Sequence, residues 1–214
     1  NQPENNKEGT TNRANFNLSG PLAGEALTMR LYGNINKTEP DAWDINHAQN
    51  GSYAAGREGV RNKDINALLS WKMTPQQILD FSYAYSRQGN IYAGDTQYSN
   101  GNLSPNGLVD SLYGHETNRL YRQSWGLTYN GLWDWGQSKA GVYYEKTNNT
   151  RLQEGSTGRV EGMINSEDYA TSRLESWRTT SEFNVPFFWL ADQTLTLGME
   201  WNHDQLDDPA SMQA

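Results

Sequence analysis

Three features are missing from this sequence of 214 residues: cysteine, a long apolar run and an excess of positive charge. Without cysteine, neither a disulfide framework nor a thiolate metal site can form. No apolar run approaches the roughly 18 residues that mark a membrane-spanning helix. The net charge of -8 argues against a nucleic-acid partner, because phosphate backbones bind basic surfaces.

The sequence also lacks the motifs of common catalytic sites. Its three histidines, His47, His115 and His203, have no further metal ligand two to four residues away. There is no His-Glu-x-x-His motif and no phosphate-binding Gly-Lys-Ser/Thr loop. We therefore expect a protein that is not an enzyme and has no catalytic or metal-binding residue.

Aromatic residues are abundant although the chain is polar overall. It contains 8 Trp, 12 Tyr and 5 Phe, and its mean hydropathy is -0.88. A disordered polar chain would be poor in aromatics. A transmembrane β-barrel accommodates both facts, because each of its strands needs apolar residues only at alternate positions.

Alternating polarity on both sides of short turns predicts β-hairpins. Four short turns interrupt the chain, at 21–24, 74–77, 133–137 and 186–192. The segment after the second turn shows the pattern, with an apolar set at every other position: Leu79, Phe81, Tyr83 and Tyr85. A period of two residues is typical of a strand whose two faces differ. The sequence therefore predicts an all-β protein with about eight antiparallel strands in four hairpins.

Long polar stretches separate these hairpins, at about 38–62, 88–117 and 148–172. They are rich in Gly, Asn, Asp and Ser, so we expect loops there. Short turns alternating with long loops are typical of outer-membrane barrels, in which the turns are periplasmic and the loops extracellular. Trp and Phe residues lie beside the short turns, which fits an interfacial aromatic belt.

The ends of the pattern suggest a piece of a larger barrel. The first strand, at about 13–20, runs toward a short turn, and the last, at about 194–204, leaves one. Both ends would then lie on the extracellular side, whereas complete barrels begin and end in the periplasm, so we expect an internal fragment. Two alternatives remain: a self-contained eight-stranded barrel, and a soluble or secreted aromatic-rich β module that binds carbohydrate.

Arginine recurs beside tyrosine in the polar stretches, in 53–57, 85–92 and 119–123. The guanidinium group is planar, carries a fixed fork of donors and stacks on rings. Tyrosine adds a stacking face with a hydroxyl group. This combination suits a planar anionic aromatic ligand. In the alternative interpretation, these arginines pair with Glu58, Asp95 or Glu116 across the wall.

The same segments resemble the ferric enterobactin receptors. The resemblance extends from about residue 14 to residue 208, and six blocks carry it: 41–46 (DAWDIN), 55–60 (AGREGV), 62–66 (NKDIN), 85–97 (YSRQGNIYAGDTQ), 116–123 (ETNRLYRQ) and 193–202 (QTLTLGMEWN). It implies a TonB-dependent receptor with a barrel of about 22 strands around an N-terminal plug. This chain would supply part of the wall, without the plug.

The resemblance also implies a function and a location. The receptor would lie in the outer membrane of a Gram-negative bacterium and take up a ferric catecholate siderophore, with another ferric siderophore as the alternative ligand. Iron would arrive inside that complex, so no cofactor is expected. Other expected partners are outer-membrane lipid, lipopolysaccharide and, through the plug, the TonB complex.

The implied siderophore-binding residues come from the matching blocks: Tyr53, Arg57, Arg87, Gln88, Tyr92, Arg119 and Arg122. We expect Arg57 and Arg87 to neutralise the ligand charge, and Tyr53 and Tyr92 to stack on its rings. Arg119 and Arg122 have the alternative role of bracing the wall.

Overall fold

The computed structural model describes residues 8–42, 57–92, 116–154 and 164–208, and all of their side chains except those of 152–154 and 164–169. Within these ranges the chain forms eight strands: β1 Thr11–Ala23, β2 Leu27–Thr38, β3 Gly59–Thr74, β4 Gln77–Ile91, β5 Glu116–Trp133, β6 Gly136–Glu154, β7 Ile164–Trp189 and β8 Ala191–Asp207. No helix in these ranges is long and apolar enough to cross a membrane.

The strands form one antiparallel sheet in the order β1 to β8. Each strand pairs with its neighbour in sequence, and short turns join them as four hairpins, which confirms the predicted eight strands. Within the described ranges β1 and β8 are the two edges and do not pair with each other. The alternative of a self-contained eight-stranded barrel is therefore wrong for these strands.

The register gives the sheet two distinct faces. Residues directly opposite one another lie on the same face, and one such row crosses all eight strands: Leu18, Leu31, Ala67, Tyr83, Trp125, Tyr144, Trp177 and His203. The adjacent row is almost entirely polar: Asn17, Tyr32, Asn66, Ala84, Ser124, Glu145, Ser176 and Asp204. We call the two sides the apolar face and the polar face.

The large side chains of the apolar face are exposed rather than buried, among them Leu197, Met199 and Trp201. Aromatic contacts link neighbouring strands on this face, with ring centroids 4.4 Å apart for Tyr83 and Trp125. A soluble sheet covers such a face with a second layer, and exposed apolar patches of this extent mark a membrane or partner surface. The soluble-module alternative therefore loses its support.

An aromatic cluster lies at the short-turn edge of the sheet, as predicted. Trp133 and Trp135 stack with centroids 6.4 Å apart, and Phe183 lies 6.2 Å from Trp135. The indole Nε1 of Trp133 donates to Ser138 Oγ at 2.8 Å. Amphipathic rings of this kind prefer the membrane–water boundary.

Two predicted turns and both terminal strands need correction. The first turn lies at 24–26 rather than 21–24, and Gly24 supplies its positive φ of 55°. In the fourth, predicted at 186–192, only Leu190 leaves the strands, with φ 67°. The expected strands 13–20 and 194–204 are longer in the structure, because polar and proline-containing ends, such as Pro186 opposite Thr194, still pair.

The predicted loops are shorter than expected, because the strands continue into the polar stretches. β6 reaches Glu154 and β7 begins at Ile164, so most of 148–172 is strand. Cross-strand hydroxyl contacts accompany this pairing, with 2.9 Å between Thr150 Oγ1 and Thr171 Oγ1. Pairing needs only backbone groups, so it does not require alternating polarity. With 12 to 26 residues each, the strands exceed the roughly 9–11 residues that span a membrane.

Candidate functional site

A basic patch lies on the apolar face, at the end of the strands far from the short turns. On β3 the alternate positions change from Ile65 to Lys63 and Arg61. The register aligns Lys63 with Arg87 and Tyr121, and it aligns Arg61 with Gly89 and Arg119. The basic patch is defined by five residues: Arg61, Lys63, Arg87, Arg119 and Glu116.

Glu116 is the centre of this patch, and its side chain is only 7% exposed. Its Oε2 lies 2.5 Å from Arg87 Nη2 and 2.9 Å from Arg119 Nε, and its Oε1 lies 3.4 Å from Arg61 Nη1. The carboxylate rests over Gly89, where an added Cβ would lie 3.0 Å from Glu116 Cδ. Three arginines therefore share one largely buried carboxylate.

Arg87 is the most buried arginine of the patch, with 15% of its side chain exposed. Burial opposes its charge, and hydrogen bonds to the Tyr121 hydroxyl and to the Glu116 carboxylate offset that cost. Its Nε donates to Tyr121 Oη at 3.3 Å. Its Nη1 is buried and has no hydrogen-bond partner in the described part of the chain. Arg87 is thus a permanent cation with one donor group unused.

The polar face carries separate ion pairs. Arg122 Nε lies 3.3 Å from Glu145 Oε1, with side chains 53% and 46% exposed. Arg178 Nε lies 3.3 Å from Glu200 Oε1, and its guanidinium is 5.6 Å from the centre of the Tyr143 ring. Tyr143, Arg178 and Glu200 line a groove of about 500 Å³ that lies closer to the short turns than Arg122 does. Each of these two arginines has a carboxylate of its own.

Asp41 and Arg57 connect the two ends of segment 43–56. The buried carboxylate of Asp41 accepts hydrogen bonds from the backbone N–H groups of Gly9 at 2.9 Å and Arg57 at 2.7 Å. The Asp41 N–H donates to the carbonyl oxygen of Arg57 at 3.0 Å. The Arg57 side chain is 64% exposed, and its Nη2 lies 4.0 Å from Asp41 Oδ1. The backbone of Arg57 is therefore held, while its guanidinium faces solvent.

Known proteins with similar sequences are receptors. No protein-family model matches the chain. The ferric enterobactin receptor PirA of Pseudomonas aeruginosa is 50% identical over 216 residues, which cover 99% of this chain and 29% of that protein. The chain thus spans less than a third of the length of this curated relative.

Solved structures agree with the sequence match. The siderophore receptor PirA of Acinetobacter baumannii superposes with a TM-score of 0.84 at 50% identity, covering 100% of this chain and 30% of that one. The chain belongs to the TonB-dependent siderophore receptors. A variant of the ferric enterobactin receptor from Pseudomonas aeruginosa, in complex with enterobactin, matches with a TM-score of 0.79 at 47% identity, covering 97% of this chain and 30% of that one.

The two faces of the sheet can be assigned because the chain belongs to a family of outer-membrane receptors. TonB-dependent siderophore receptors lie in the outer membrane of Gram-negative bacteria, and this chain forms part of such a barrel wall. In an outer-membrane barrel the apolar band contacts lipid and the interior is polar. The apolar face is therefore the lipid side and the polar face is the lumen side.

The basic patch brings two of the predicted site residues together. Arg87 and Arg119 both form ion pairs with Glu116. Such pairing is what the alternative interpretation of these arginines, as braces of the barrel wall, expected. Both lie on the apolar face, so their side chains leave the sheet on the lipid side. Arg61 completes the cluster and was missed by the sequence analysis, although the two-residue period from Ile65 places it on this face.

The other predicted residues are separated from that cluster. Arg122 and Gln88 are exposed on the polar face, and Arg57 lies at the base of segment 43–56. Tyr92 is only 5% exposed, so the stacking face expected of it is covered. Tyr53 lies outside the described residues, and its role stays a prediction.

Proposed function

We propose that the receptor containing this chain takes up a ferric catecholate siderophore of the enterobactin type in an energy-coupled step. The observation that carries the proposal is the match along the whole chain to a receptor named for ferric enterobactin, at 50% identity. A second support is the similarity to a receptor structure in complex with enterobactin. The chain contributes one part of the barrel wall to this function.

Within this chain, we assign the ligand contacts to Arg57, Gln88 and Arg122. All three are exposed, and Gln88 and Arg122 belong to the lumen side of the wall. A ferric catecholate complex is anionic with flat aromatic arms, and guanidinium groups complement both properties. Arg57 is the stronger candidate, because Glu145 already neutralises Arg122 in part.

Arg87 and Arg119 act on the ligand site indirectly in this proposal. Their shared carboxylate, Glu116, ties the first residue of β5 to β3 and β4. Glu116 is also where segment 93–115 rejoins the sheet. The arginines thus fix the position at which an extracellular segment ends.

The remaining partners follow from the same proposal. Iron enters as cargo inside the siderophore, so the protein needs no resident cofactor. Energy comes from the TonB complex through the plug of the complete receptor, and the apolar face contacts outer-membrane lipid. Receptor chemistry of this kind makes and breaks no covalent bond, so we propose that the protein is not an enzyme.

The test is a fluorescence-quenching titration of the full-length receptor in detergent, with ferric enterobactin and with a ferric hydroxamate as control. The tryptophans of this wall are the reporters. We expect saturable quenching by the catecholate at concentrations at least about tenfold below any hydroxamate response, since tenfold corresponds to 1.4 kcal/mol. Equal responses, or none in a correctly folded barrel, would contradict the catecholate assignment.

Variants then test the assigned residues. Replacing Arg57 and Arg122 together by Ala removes two cations near the ligand, and we expect affinity to fall by on the order of 10- to 100-fold. The matched control is Arg178→Ala, which also removes an arginine from a lumen-side ion pair but lies near the short turns. A double variant that binds as tightly as this control would remove both residues from the site.

A further inference from the structure

The basic patch supplies no direct ligand contact in the proposed siderophore site, and it lies on the lipid side. We propose that it binds the phosphate groups of an anionic glycolipid of the outer leaflet, and that an apolar groove beneath it holds one acyl chain of that lipid. This inference rests on the membrane placement that accompanies the proposed function, and it adds a defined lipid site to it.

The height of the patch fits the headgroup region. On β3, Arg61 lies ten residues beyond Trp71, which is about 33 Å along the strand at ~3.3 Å per residue. With a strand tilt of roughly 40°, that corresponds to about 25 Å along the membrane normal, the height of the apolar band of such barrels. Trp71 lies near the periplasmic turn, so Arg61 reaches the outer border.

The charge of the patch is unbalanced. Three arginines share Glu116, and Arg61 and Arg119 remain partly exposed. Lys63 is exposed and has no ion pair in the described part of the chain. Arg87 keeps an unused buried Nη1 group. The arginines of the two lumen-side pairs each have their own carboxylate, so those pairs lack the local excess of cations that the patch has. Guanidinium and ammonium groups are the usual protein ligands of phosphate.

An apolar groove lies on the same face, nearer the membrane centre than the patch. It has a volume of about 410 Å³, and its side-chain lining is aromatic and aliphatic: Phe81, Trp125, Leu127, Val142, Tyr144 and Trp177. Trp125 lies six residues from Arg119 on β5, about 20 Å along the strand at ~3.3 Å per residue. A lipid whose phosphate contacts Arg119 can therefore extend an acyl chain into this groove.

The experiment uses the full-length receptor containing this chain, refolded in detergent without lipopolysaccharide. Native mass spectrometry measures retention of bisphosphorylated lipid A and of dephosphorylated lipid A. We expect selective retention of the bisphosphorylated form. In Arg61→Gln/Lys63→Gln/Arg119→Gln, its apparent dissociation constant should rise by on the order of 100-fold, as expected for three cations near a charged membrane surface.

The matched control is Arg13→Gln/Arg30→Gln/Lys139→Gln, which removes three cations from the polar face. It should bind lipid A within about twofold of the parent. Lys63→Gln alone leaves Glu116 and its arginines untouched and guards against misfolding of the triple variant. The dissociation constant of this variant for lipid A should rise about fivefold, which is the contribution expected of one cation near the membrane surface. Any of three outcomes would overturn the proposal. The parent receptor could retain both lipid forms equally, the control could lose as much lipid A affinity as the triple variant, or neither patch variant could lose affinity.

Two further readings distinguish the sources of failure. Inorganic phosphate should not displace the lipid, and full displacement at millimolar phosphate would indicate a site for a free anion instead. A ferric enterobactin titration of Lys63→Gln, which leaves Glu116 and its arginines in place, should give the affinity of the parent receptor. If the parent receptor retains lipid A selectively but ignores ferric enterobactin, the proposed function fails and the lipid site stands.

Discussion

The two faces of one barrel wall use arginine in different ways. On the lipid side, Arg61, Arg87 and Arg119 converge on the single buried carboxylate of Glu116. On the lumen side, Arg122 and Arg178 each pair with a half-exposed carboxylate of their own. Arginines that share one carboxylate keep a net positive charge, whereas an arginine paired with its own carboxylate does not. The distribution of carboxylates, more than that of arginines, therefore decides which surface can bind an anion.

The largest difference between the faces should appear when the shared carboxylate is removed. Glu116→Gln leaves three arginines without a counter-charge, and one of them is largely buried. We expect the free energy of unfolding to fall by about 3 kcal/mol. This value is the lower end of the range for breaking a buried ion pair, because Arg61 and Arg119 are partly exposed. Urea unfolding of the refolded receptor measures it.

Glu145→Gln is the matched control for this change. Its pair with Arg122 is half-exposed, and such pairs contribute about 0–1 kcal/mol. If both variants lowered the free energy of unfolding by similar amounts, the central position of Glu116 would not contribute to stability.

A charge inserted in the wall should distinguish lipid from lumen. Leu127 lies on the apolar face opposite Phe81 and Val142, and Thr128 is its neighbour on the polar face. Leu127→Arg should cost about 1–3 kcal/mol when the receptor unfolds from lipid vesicles, because Arg on the lipid face is destabilising between the membrane border and the bilayer midplane. Thr128→Arg should cost much less. Equal costs would refute the assignment of faces.

A smaller change tests whether Glu116 needs the space above Gly89. An Ala Cβ there would lie 3.0 Å from Glu116 Cδ, so the carboxylate must shift away from its arginines. We expect Gly89→Ala to cost about 1 kcal/mol in unfolding free energy, typical of a disturbed network. Gly20→Ala, where nothing lies within 4 Å of the added carbon, serves as control. A neutral Gly89→Ala would show that Glu116 adjusts freely.

The smallest effects should come from one-to-one pairs on either face. Lys37, which lies beside Arg61 on the apolar face at the height of the basic patch, pairs with Glu39, and Arg178 lies 3.3 Å from Glu200 on the polar face. Replacing either cation by Gln should change the unfolding free energy by less than about 1 kcal/mol, because both pairs are solvent-exposed. A large effect in only one of them would mean that the face itself, rather than carboxylate sharing, sets the strength.

Much of the fold could be predicted from the two-residue period of the sequence. The run Leu79, Phe81, Tyr83, Tyr85 defines both a strand and its lipid side. The same period continues to Arg87, which therefore belongs to the apolar face. Arg87 was expected to contact the ligand because its block contains tyrosines and resembles the ferric enterobactin receptors, and neither criterion depends on the face of the sheet.

The rest of the patch depends on register, which local sequence does not specify. Arg61, Gly89 and Arg119 come from three strands and align only when the hairpins pair as they do. Glu116 reaches Arg87 beside an irregularity in pairing between Asn90 and Ile91. The strand ends near 148–172 were missed for a related reason, since their Asn and Thr residues pair without any apolar alternation.

The central claim is that alternate residues of β4 face lipid and lumen, and one measurement addresses it directly. The 214 residues contain no cysteine, so single cysteines at positions 83 to 88 can carry a nitroxide spin label in the receptor in lipid vesicles. Collisions with oxygen report lipid, and collisions with a water-soluble nickel complex report the lumen. We predict oxygen maxima at 83 and 85, nickel maxima at 84, 86 and 88, and an intermediate value at 87. A profile without a two-residue period, or with the opposite phase, would contradict the account.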